Sequence, residues 1–155
     1  MSIKIVDCFV VDSNYIMSYH QRLNGMMREL IQYLQGQKIE YNIIMPFLEE
    51  QQKQVKKMKE ELSLYKVQWS ESISFKESYL VVLEQYNSIL EVMIQETNNF
   101  VHSAEKGNTN VPKMNNARIQ EEFDKFTLRG KIASEKYRII KEEYEKEMLR
   151  FSKSE

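Results

Sequence analysis

The sequence predicts an all-α fold, an elongated antiparallel four-helix bundle with coiled-coil-like packing. Three observations point there. Only four Gly and two Pro stand among 155 residues, too few for the many turns that a sheet protein needs. Apolar residues recur at alternating steps of three and four along most of the chain, and the one strand-like alternation, at Ile3 and Ile5, has no second strand pattern to pair with. A composition of 42% hydrophobic and 29% charged residues belongs to a folded chain rather than a disordered one.

Residues 1–12 read as an apolar arm, extended or helical, docked on the bundle of its own chain in preference to a partner. Asp12 and Ser13 are N-cap types, and a first helix over about 13–35 follows, with Ile16, His20, Leu23, Met27, Leu30 and Leu34 in four-three register. Gly36 suits its C-cap. Because the register runs on through Gln37 and Tyr41 toward Pro46, a kink or tight break is expected within 36–46.

A second helix over about 46–69 carries the clearest seam. Ile44, Leu48, Gln51, Val55, Met58, Leu62, Tyr65 and Trp69 form an a/d stripe that only Gln51 interrupts, backed by a charged face. Ser70 and Ser72 mark a turn into a third helix at about 74–104. Its broad stripe, with Tyr79, Leu83, Tyr86, Leu90 and Met93 at the centre, makes it the central helix of the bundle. Lys106 to Pro112 reads as a loop.

A fourth helix follows at about 115–151, capped by Asn115 or Asn116. Its seam holds Ile119, Phe123, Phe126, Gly130, Ala133, Tyr137, Ile140, Tyr144 and Phe151. An interior glycine costs about 1 kcal/mol relative to alanine, so Gly130 beside Ala133 predicts close approach of another helix to the backbone. This helix would span roughly 55 Å against roughly 40 Å for a compact domain of this length, hence the elongation.

The totals exclude several function classes. A formal charge of −1 gives no global attraction to nucleic acid or to anionic membrane. The basic cluster Lys53, Lys56, Lys57 and Lys59 is diluted by flanking glutamates and reads as a solvated face, or as a face for the acidic third helix. No stretch approaches the roughly 20 apolar residues of a membrane span, and the N-terminus lacks the layout of a signal peptide. Cys8 is the only cysteine, which suits a reducing, cytoplasmic compartment, with signal-peptide-independent export as the alternative. Set among Phe9, Val10 and Val11, it reads as a buried apolar residue rather than a nucleophile.

His20 and His102 are too few for a metal site, and no phosphate-binding loop, nucleophile elbow or zinc-protease motif is present. The sequence therefore predicts no catalytic residue, no metal and no cofactor. Glu121 with Lys125 and Glu142 with Lys146 read as i,i+4 pairs on solvated faces.

What remains is binding. Nine Met and nine Tyr supply deformable and amphipathic surface suited to protein partners. The expected function is a non-enzymatic helical interaction module, a scaffold, adaptor or small chaperone subunit, holding another helical protein or a second copy of itself. Gln51, Met58, Tyr65, Trp69, Met26, Tyr137 and Tyr144 are the candidate partner-binding residues.

Trp69-Ser70-Glu71, at the turn between the second and third helices, resembles the turn of the small secreted helical hairpins that carry a Trp-x-Gly motif. Glu71 stands where that glycine would be, and the tail lacks the family's Tyr-x-x-x-Asp/Glu export signal. The resemblance covers one turn. It implies, as an alternative, an exported helical partner of a type VII-like secretion system. A peripheral membrane-binding bundle is a second alternative.

Overall fold

The computed structural model describes residues 3–35, 41–105 and 117–154, and those residues form a helical bundle with no strand among them. Its order is α1 (Ile3–Gln35), α2 (Tyr41–Leu64), one 3-10 turn at Ser70–Ser72, α3 (Ile73–Glu105) and α4 (Ala117–Ser154). Cross-helix partners set the topology. Asp12 of α1 meets Trp69 beyond the end of α2, and Met26 meets Gln51. Gln51 in turn meets Tyr86 of α3, while Phe75 meets Tyr137 and Glu96 meets Arg118 on α4. Residue numbers rise along one helix as they fall along the next, so each successive pair is antiparallel. The 38 residues of α4 span about 57 Å.

Burial follows the predicted stripes. Ile16, Leu23 and Leu30 of α1, Leu48, Val55, Met58 and Leu62 of α2, and Leu83, Tyr86, Ile89, Leu90 and Met93 of α3 are fully buried. Helix α3 packs on both α2 and α4, as its broad stripe requires. By contrast, Ile119, Ala133 and Ile140 are the only buried residues of α4 among those described.

Three expected boundaries are corrected. Helix α1 begins at Ile3, so residues 3–12 are its first turns and not a separate arm. Phe9 is buried and continues the same helical period toward Asp12 and Ile16, and that burial carries the helix past the expected cap. Helix α2 begins at Tyr41 and holds Pro46 in its interior. The proline forfeits one backbone bond near the helix start at a cost of about 3 kcal/mol. Burial of Ile44 and Met45, at about 1.5–3 kcal/mol each, outweighs it.

The third correction is the end of α2 at Leu64, five residues before Trp69. The Tyr65 amide closes the last turn on the Leu62 carbonyl at 3.1 Å. Lys76 Nζ then donates to the carbonyls of Ser63 and Tyr65 at 3.1 and 2.6 Å, satisfying orphaned acceptors at the negative end of the helix dipole. The Gly36 cap, the loop at Lys106 to Pro112 and the Asn115 or Asn116 cap lie outside the described residues.

Candidate functional site

The seven candidate partner-binding residues all turn toward the chain's own interior. Met26 and Met58 are core residues. Gln51, read from sequence as a gap in the seam, is buried and bridges three helices: its Nε2 donates to the Met26 carbonyl at 2.8 Å, and its Oε1 accepts from Tyr86 Oη at 2.6 Å. Tyr65 and Trp69 are not on a helix. They lie in the α2–α3 connection, which the buried Asp12 carboxylate organises by accepting from Tyr65 Oη at 2.6 Å and from the amides of Gln68 and Trp69 at 2.8 and 2.9 Å. Asp12 has capping chemistry, but it caps a connection 57 residues away instead of its own helix.

Tyr137 and Tyr144 are half-buried and stack on Phe9, with ring centroids 6.2 and 4.4 Å apart, while Trp69 meets Phe9 edge-on at 5.9 Å. Between α1 and α2 a polar zipper completes the seal. Tyr15 stacks on Tyr65 at 3.9 Å, Tyr19 donates to Glu61 at 3.1 Å, and Arg22 lies 3.7 Å from the same carboxylate. Burial, then the hydrogen bonds to Tyr15 and Glu61, push the Tyr19 phenol above its ordinary range.

The opposite flank of α1 is different. Between α1, α3 and α4 lies a crevice of about 190 Å³. Met17, His20, Asn24 and Met27 form its α1 wall, Phe126, Gly130, Ser134 and Tyr137 its α4 wall, and Phe75, Tyr79 and Val82 its floor. Exposed Met17, Asn24 and Ser134 mark the mouth. A Cβ added at Gly130 would meet no atom within 4 Å, so the expected close helix approach is overturned: the missing side chain opens space. The polar groups gather on one side. Tyr79 Oη and His20 Nδ1 are 3.3 Å apart, and Asn24 Nδ2 lies 3.3 Å from His20 Nε2. Burial pushes the Tyr79 phenol up, out of its ordinary range.

A second surface runs along the outside of α4. Leu128, Ile132 and Ile139 are 58%, 40% and 43% exposed, and their spacing of four and seven sets them on one face, away from the buried Ile119, Ala133 and Ile140. Arg138 bonds both Glu135 and Glu142 beside this stripe. Glu142 is thereby taken from its expected partner Lys146, which pairs with Glu143 at 3.5 Å, whereas the Glu121–Lys125 pair forms at 3.8 Å. Lys59 reaches Glu84 on α3 at 3.5 Å. The outer stripe was visible in sequence as a second four-seven pattern, but the longer seam beside it drew the helix register.

Cys8 is a half-buried free thiol. Among the described residues no group of three His, Cys, Asp or Glu side chains could hold a metal ion, and no helix is long and apolar enough to cross a membrane. Comparison with protein families, with characterised proteins and with solved structures gives no match. The functional reading therefore rests on the chain's own geometry.

Proposed function

We propose that this protein is a non-enzymatic helical interaction module, a scaffold, adaptor or small chaperone subunit that holds another helical chain or a second copy of itself in the cytoplasm. The observation that carries this reading is the double-sided character of α4. One apolar stripe faces the bundle, and the other, Leu128, Ile132 and Ile139, stays substantially exposed. Residues at these intervals are covered together when one further helix lies alongside. The flanking ion pairs of Arg138 with Glu135 and Glu142, and of Lys125 with Glu121, are solvent-screened, so they select among partners and add little affinity.

The test compares wild type with the triple variant Leu128→Lys, Ile132→Lys, Ile139→Lys by light-scattering mass over a concentration series and by pull-down from the source cell. All three changes lie on the exposed face, so the melting temperature should stay close to wild type. Wild type should form a complex above its monomer mass of 18.6 kDa, and the variant should lose it. A wild type that stays monomeric and captures nothing, or a variant that keeps the same complex, contradicts the proposal.

A further inference from the structure

We infer that the crevice between α1, α3 and α4 is a binding site for a small aromatic molecule bearing one hydrogen-bond acceptor, such as an aryl ketone or aldehyde. The inference is independent of what covers the outer face of α4. A dry protein cavity of about 150 Å³ takes up benzene, and this crevice, at about 190 Å³, has room for a ring and two or three further atoms. Its walls suit a ring, with Phe75, Phe126 and Tyr137 offering faces and edges and Met17 and Met27 adaptable thioethers.

The space is built from an unused position. Gly130 sits inside a 38-residue helix, where glycine weakens the helix, yet no neighbouring atom lies where its Cβ would be. Packing gives no reason for it. The consequence of its small size is the open volume against α4.

The polar side specifies the acceptor. The Asn24 Nδ2 group can only donate, so His20 Nε2 accepts from it. In that tautomer the His20 Nδ1–H donates to Tyr79 Oη. The Tyr79 O–H is then free to donate into the crevice, which Tyr79 lines as a residue only 4% exposed. A ligand carbonyl oxygen seated in the crevice can accept from it. An alkyl-benzene of the same shape cannot.

Acetophenone and α-methylstyrene, which differ in C=O against C=CH2, separate shape from hydrogen bonding. Titration into the full chain is followed by the 13C methyl signals of Met17 and Met27. Acetophenone should give saturable shifts at both methyls and bind about tenfold more tightly than α-methylstyrene, the worth of one hydrogen bond. Tyr79→Phe should bring the two affinities together while ring binding persists. Gly130→Leu should remove both, and Gly130→Ala, whose methyl meets no atom, should keep the tenfold preference if the fold of Gly130→Leu is lost. Equal affinities in wild type, no saturable shift, or an unchanged preference in Tyr79→Phe would overturn the assignment.

Discussion

Helix α1 meets α2 on one flank and α4 on the other; polar bridges seal the first seam, whereas the second closes at the Phe9–Tyr144 stack and opens beside Gly130. On the sealed side, side chains with fixed hydrogen-bond geometry span the gap. Asp12 reaches the α2–α3 connection, Tyr19 reaches Glu61, and Gln51 joins α1 and α3 through α2. On the open side, Gly130, Ala133 and Ser134 face α1, and no side chain among them is long enough to fill the space. Buried polar pairs hold helices in one register because any shift would strand their donors and acceptors. Small residues impose no such condition and leave room for something else.

That contrast is broken most severely at Asp12. Asp12→Ala leaves two backbone amides and the Tyr65 hydroxyl without their acceptor, and urea unfolding should show a loss of about 3–5 kcal/mol. Asp12→Asn, which keeps one oxygen acceptor, should recover part of it. An effect below about 1 kcal/mol for the alanine variant would mean that this network does not lock the seam.

Next comes the Gln51 bridge. Gln51→Leu strands the Tyr86 hydroxyl and removes the second bond of the Met26 carbonyl, which keeps its partner within α1, with an expected cost of about 1–3 kcal/mol. Adding Tyr86→Phe removes one stranded group, so the double variant should cost less than the two single changes together; simple additivity would argue against a coupled bridge.

Alkaline unfolding distinguishes the two sides less sharply. Burial raises the phenol pKa of Tyr79 at the crevice and of Tyr86 in the sealed core. The folded state therefore prefers the neutral phenol. The stabilisation is fully present below the unfolded pKa of about 10 and is lost as pH rises above it. The urea midpoint should hold up to about pH 9 and fall beyond about pH 10, and Tyr79→Phe or Tyr86→Phe should each soften that fall.

The smallest expected change has the opposite sign. Gly130→Ala adds helix propensity in open space and should stabilise by about 1 kcal/mol, raising the melting temperature by about 2–4 °C. A destabilised variant would show that α1 or α3 approaches α4 here after all.

Much of this architecture was legible in the sequence. The third helix was expected at about 74–104 and runs from Ile73 to Glu105, since its stripe is long and its boundaries depend on nearby residues. The roles of Asp12 and Gln51 were not legible. Their partners lie 25 to 57 residues away, and a polar residue on a seam looks the same from sequence whether it is a gap or a bridge. The crevice was hidden for a related reason, because a glycine on a seam fits a close approach and an open space equally well, and only the helix separation decides.

Native-state hydrogen exchange, read residue by residue, tests the asymmetry between the two seams most directly. Amides from Ile16 to Leu30 and from Leu48 to Leu62 should exchange only through global unfolding, while those from Ile119 to Tyr144 on α4, with its few buried side chains, should exchange through partial openings at least about tenfold more often. Uniform protection across α1, α2 and α4 would contradict the division into a sealed seam and an open one.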